Sequence, residues 1–356
     1  MRTDRDAVHD LLGDLDPATA FSSDPQRRAA TYAAIVADEH VPDAPARRNR
    51  RLTRRTVLVA GAAASAATAA VVAGVLGWPD SGGSASPAYA ATPPLLEFDD
   101  TEAGSRSARE VLLELSRAAE QRSTPASSGR YVYVKTQGWY LTTAVGGETV
   151  TSVIVPSTRE KWVSPETGQG RIRTEPQPPQ WRSAEAEAEW RDSGHPMPDR
   201  EPTDERRQEI PLYWTPGEPS TDPTVLTRQL RKEHNFPDRG QVAVVEGVTH
   251  LYRDLPVRPE VGAAALRGLA EIDELTYEGT VTDRHGRPGV AVSLETDSSG
   301  LPMQEILIFA PESGRLLAHE AVLTEDAGEL NVPVPSVISY TLYLDAGFTD
   351  SLQQRP

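Results

Sequence analysis

Tyr131-Val132-Tyr133-Val134-Lys135-Thr136 decides how the folded part of this chain is read. Tyr131, Tyr133 and Lys135 fall on one side of the alternation, and Val132, Val134 and Thr136 on the other. Period two with β-branched and aromatic residues is the pattern of a strand. Downstream, Trp139–Val145 and Glu148–Val155 predict a hairpin about Gly146-Gly147. Short strands follow at Lys161–Val163 and Arg171–Thr174, joined by Pro165-Glu166-Thr167-Gly168. Upstream, a helix from Ser107 to about Arg122 places Val111, Leu112, Leu115 and Ala119 on one face.

Residues 176–220 change character, with prolines and charges punctuated by Trp181, Trp190 and Trp214 and one short helix at Ser183–Arg191. They read as a long insertion or surface loop set rather than core, clamped to the sheet by its tryptophans. Helices are then predicted over Asp222–Glu233, Gln241–Asp254 and Pro259–Ile272, the last burying Val261, Ala264, Ala265, Leu269 and Ile272. Strands return at Leu275–Thr282, Gly289–Thr296, Met303–Phe309, Arg315–Leu323 and Ser336–Leu344. Hairpin turns without a βαβ rhythm indicate an α+β fold. The expected architecture is a curved antiparallel sheet, a half-barrel with helices on one face, spanning residues 105–351.

The N-terminal part reads differently. Val57 to Trp78 is an uncharged run of 22 residues, preceded by Arg47, Arg48, Arg50, Arg51, Arg54 and Arg55. As a helix it is about 33 Å long, which matches a hydrocarbon core of roughly 30 Å. The basic flank, residues 46–56, belongs on the cytoplasmic side, so the chain is expected to be single-pass at the cell membrane, with the C-terminal part extracytoplasmic. A second reading stays open. Thr53-Arg54-Arg55-Thr56-Val57-Leu58 resembles a twin-arginine export motif, and Ala88-Tyr89-Ala90 has the form of a signal-peptidase site. Cleavage after Ala90 makes the chain a secreted ligand carrier. Residues 1–45 hold two short amphipathic helices, Asp6–Leu15 and Ser23 to about Glu39, too small to fold alone and partly disordered without a partner. Residues 79–104 read as a linker.

Charge and composition narrow the function classes. Residues 79–356 carry 26 basic against 43 acidic side chains, net −17, which repels nucleic acid and anionic lipid surfaces. The absence of cysteine rules out disulfides, a thiolate nucleophile and a lipoprotein anchor. The seven histidines, at 9, 40, 195, 234, 250, 285 and 319, show no metal-ligand spacing. No nucleophile elbow or phosphate-binding glycine loop is present. A non-enzymatic protein without cofactor or metal is expected, with an envelope hydrolase as an alternative. The strongest candidate site is aromatic. Tyr131, Tyr133, Trp139, Tyr140 and Trp162 crowd the early strands, where they either line a ligand groove or fill the core beneath the helices.

Gly129-Arg130-Tyr131-Val132-Tyr133-Val134-Lys135-Thr136, Trp139-Tyr140, Lys161-Trp162 before Pro165–Gly168, and the closing Tyr343-Leu344-Asp345-Ala346-Gly347-Phe348-Thr349-Asp350-Ser351 resemble a group of actinobacterial single-pass membrane proteins of largely unassigned function. The resemblance implies an arginine-flanked anchor and an ectodomain similar to the half-barrels of periplasmic lipoprotein carriers and sensor domains. The layout also resembles membrane anti-sigma factors, which implies a cytoplasmic regulator, a sigma factor, as partner of residues 6–39. It departs from them in lacking a His-x-x-x-Cys-x-x-Cys signature and in the shortness of its first 45 residues. The expected function is binding of a lipid-like or peptide ligand, or of a partner protein, by the ectodomain.

Overall fold

The computed structural model describes residues 92–99, 101, 105–122, 129–146, 149–154, 156–181, 184–192, 201–215, 217–233, 239–327 and 332–356. The expected cytoplasmic helices, basic flank, spanning helix, export motif and Ala88-Tyr89-Ala90 lie outside the described residues. Among the described residues no helix is long and apolar enough to cross a membrane.

The alternating stretch at Tyr131 starts β1, Tyr131–Gly146, which runs unbroken through Gln137-Gly138, where two strands were expected. Gly138 pairs with Thr341 on one side and Ser157 on the other, so ladder bonds on both edges offset glycine's weak strand preference. β1 turns back into β2, Thr149–Ile154, and β3, Ser157–Val163. Leu141 faces Ile154 and Gly138 faces Ser157 in one continuous register, so β2 and β3 are a single strand interrupted near Pro156. Proline has no N–H to give to the ladder. β4, Gly170–Pro176, and β5, Thr203–Arg207, complete an antiparallel meander. β5 has no apolar alternation and escaped the sequence reading. It is an edge strand of charged residues, which discourages pairing with another chain.

The second meander comprises β6, Thr276–Thr282, β7, Pro288–Thr296, β8, Met303–Phe309, β9, Leu316–Leu323, and β10, Ser336–Thr349. β10 pairs with β1 and joins the two meanders into one open antiparallel sheet, ordered β5-β4-β3-β1-β10-β9-β8-β7-β6, with β2 on β1. The fold is α+β. Residue 344 bulges out of β10, because Lys135 faces Asp345 while Thr136 faces Tyr343.

The helices are α1, Ala108–Glu120, α2, Ala184–Asp192, α3, Pro223–Glu233, α4, Val242–Asp254, and α5, Pro259–Leu269. Ser107 and Glu110 form a reciprocal capping box that fixes the start of α1. α3, α4 and α5 occupy the connection between β5 and β6, the two opposite edges of the sheet. That connection has to cross the sheet. Leu112 and Leu115 of α1, Val244, Val248 and Leu251 of α4, and Val261 and Leu266 of α5 share one core with Val292, Leu307, Phe309 and Tyr343 of the sheet.

The 176–220 segment departs from expectation. Trp190, Ile210 and Trp214 are buried, and Trp214 belongs to the helix-layer core. Its backbone N–H donates to Asp254 Oδ2 at 2.7 Å, while Lys161 of β3 pairs with Oδ1 of the same carboxylate. A buried charge persists only when paired and hydrogen-bonded, and here one aspartate ties the segment, α4 and β3 together. The folded unit also extends beyond residues 105–351. Leu96 and Phe98, in the stretch read as linker, pack on the sheet face away from the helices, and Asp99 bridges to Thr280.

Candidate functional site

Lys161 points at α4, so its neighbour Trp162 points to the opposite face of the sheet. Tyr133 is the cross-strand partner of Trp162, and the two rings sit 5.0 Å apart. Tyr131 and Trp139 share that face by their spacing along β1. Tyr133, Trp139 and Trp162 are 0, 1 and 1 % exposed and lie outside the core that the helices share with the sheet. Trp139 stacks on Tyr340 and donates its indole N–H to Gln180 at 2.8 Å. Tyr131 is half-buried near the start of β1, and Tyr140 pairs with Ser339 in the ladder.

What covers Tyr133 and Trp162 is the chain's own segment 352–356. The Trp162 indole N–H donates to the carbonyl of Gln354 at 2.6 Å, and Arg171 Nη1 donates to the carbonyl of Leu352 at 2.8 Å. Arg171 is itself held by a two-point contact with Asp204 of β5 and lies 5.1 Å from the Trp162 ring centre. Arg355 forks onto Glu160, with Nε and Nη2 at 2.5 and 2.9 Å from the two carboxylate oxygens. The Tyr133 hydroxyl donates to the same carboxylate at 2.8 Å. Pro356 lies on Gly347, where a Cβ would come within 2.6 Å of the proline ring.

The electrostatics follow from this packing. Burial pushes the Glu160 carboxyl up, but the bonds from Arg355 and Tyr133 outweigh it and hold the group below its ordinary value. Burial and the adjacent Glu160 push the Tyr133 phenol far above its usual range, so it stays a donor at every accessible pH. The site therefore reads a chain in two ways: two donors aimed at main-chain carbonyls, and one buried carboxylate that receives a guanidinium. Tyr133 and Trp162 were visible in the sequence as candidates. Glu160, Arg171 and the 352–356 segment were not, because the strap meets the sheet across 195 residues and carries no local pattern.

The three described histidines stay outside this site. His250 is buried on α4 against Tyr213, His285 is exposed in the β6–β7 turn, and His319 contacts Glu305 at 2.6 Å. Among the described residues no three His, Cys, Asp or Glu side chains gather to hold a metal ion. No protein-family model, curated protein or solved structure matches this chain. The functional reading therefore rests on its own residues.

Proposed function

We propose that this chain is a non-enzymatic, single-pass protein of the bacterial cell membrane whose ectodomain binds an extended, arginine-bearing peptide segment. The observation that carries the binding reading is the strap geometry: Trp162 and Arg171 donate to backbone carbonyls while Glu160 takes Arg355. Main-chain donors favour a peptide over an acyl chain, which offers no carbonyl ladder. The open sheet with helices on one face supports the half-barrel reading, and segment 352–356 acts as the resident occupant of its other face. The span at 57–78 supports an anchored ectodomain, and residues 6–39 serve to report its state to a cytoplasmic regulator.

The test uses the full chain and a variant ending at Asp350, with a labelled peptide of residues 351–356 as probe. The shortened chain is expected to bind the peptide saturably, the full chain much less, and Glu160→Gln in the shortened chain to abolish binding. Absence of saturable binding to the shortened chain refutes the peptide site. Intact mass of membrane-extracted protein tests the anchor separately, because an N-terminus at Ala91 eliminates it.

A further inference from the structure

Between the helix layer and the sheet lies a cavity of about 90 Å³, bounded by the α4–α5 connection, β1 and β10. Arg122, Arg258 and Arg315 line it, and its apolar walls include Val134, Val257 and Phe348. Among the described residues Asp345 supplies the only carboxylate in the lining. In a folded part with 43 acids against 26 bases, this local reversal of sign is costly unless something answers it.

The three arginines are not equivalent. Arg258 reaches Glu218 at 3.1 Å, an exposed rim pair. Among the described residues neither Arg122 nor Arg315 has an ion-pair partner. Arg315 Nη2 donates to the carbonyls of Tyr343 and Leu344 at 3.2 and 2.8 Å, at the β10 bulge. Among the described residues no further acceptor meets its Nε–H or Nη1–H. Burial and the nearby Arg287 and Arg122 disfavour its charge, which an entering anion relieves. The Tyr252 phenol, pushed up to about 12 by burial, stays protonated in the wall as a further donor.

We propose that this cavity binds the oxyanion head, carboxylate or phosphate, of a small amphiphile, gripped by Arg122 and Arg315 with its stem against Val134, Val257 and Phe348. The guanidinium fork matches both anions. The cavity is small, at about 90 Å³. It takes a head and a few carbons, not a long acyl chain.

The experiment titrates the full chain with hexanoate, with inorganic phosphate, and with vesicles of phosphatidylglycerol or phosphatidylcholine, reading calorimetric binding and vesicle co-sedimentation. Saturable binding of hexanoate or phosphate is expected, weakened at least tenfold by Arg122→Gln. Arg315→Gln is expected to weaken it equally. If loss of its bulge contacts unfolds that variant, Arg122→Gln alone decides, because among the described residues the Arg122 side chain makes no hydrogen bond or ion pair. Hexanoate binding without phosphate binding assigns a stemmed carboxylate, and phosphate binding assigns the free ion. Arg122-dependent binding to phosphatidylglycerol vesicles assigns a lipid head. Failure of hexanoate and phosphate to bind, or binding that Arg122→Gln leaves unchanged, overturns the proposal. The shortened chain's affinity for the 351–356 peptide should not change in Arg122→Gln, which keeps this test separate from that of the sheet-face site.

Discussion

Replacing Asp254 by asparagine removes one charge from a place where nothing else compensates for it. Asp254 is 0 % exposed, and its partner Lys161 is 8 % exposed by side chain. Asparagine keeps an oxygen for the Trp214 N–H, so the change isolates the ion pair with Lys161. The ammonium is left buried without its counter-charge, and breaking a buried pair in this way costs about 3–5 kcal/mol. For a folded unit of this size 1 kcal/mol moves the melting temperature by about 2–4 °C, so a drop of about 6–20 °C is expected. Calorimetry and urea denaturation followed by tryptophan fluorescence measure it. The double variant Lys161→Met/Asp254→Asn has no buried charge left and should recover most of the loss, to within about 1–2 kcal/mol of the parent. A single-variant loss below about 1 kcal/mol, or a double variant as unstable as the single, would refute the account of this carboxylate as the tie between β3, α4 and the Trp214 segment.

The remaining expectations are smaller. Glu160 is held below its unfolded value of 4.5, so its contribution is present above that pH and lost as the pH falls through the depressed folded value. Trp162 fluorescence should therefore report strap release on acidification, and the transition should vanish in Glu160→Gln. Glu246 behaves in the opposite sense, because burial pushes its carboxyl up despite Arg239 at 2.6 Å. Its contribution is present below 4.5 and lost as the pH rises through the raised folded value, so Glu246→Gln should be more stable than the parent at pH 8 and equal to it near pH 4 in denaturant titrations. Gly170→Ala would place a Cβ 1.9 Å from the Trp162 carbonyl oxygen. The strand that carries Trp162 must then shift, with an expected loss of about 1–3 kcal/mol by denaturation and weaker peptide binding in the shortened chain.

Much of the fold was legible because its elements carry strong local periodicity. The faces assigned to the helix after Ser107 and to the helix after Pro259 are the buried faces. The successive strands predicted at 275–282, 289–296, 303–309 and 315–323 do pair antiparallel with their neighbours. Where neighbours decide, the reading changed. β5 is a strand because β4 offers it a ladder, and Trp214 is core because Asp254 and the helix layer receive it. The candidate site divides the same way. Tyr133 and Trp162 stood out as aromatic, yet their packing on the face opposite α4 follows only from Lys161 turning toward α4.

The sequence by itself determined most element types, β5 excepted, the antiparallel α+β class, the acidity of the folded part and the apolar run at 57–78, because each is written in residues close together along the chain. Tertiary structure alone decided that two meanders meet at β1 and β10, that segment 352–356 lies over Tyr133 and Trp162, and that Arg122 and Arg315 share one cavity. These are contacts between distant residues. They are set by which surfaces bury together and which charges find partners, and no local pattern encodes them.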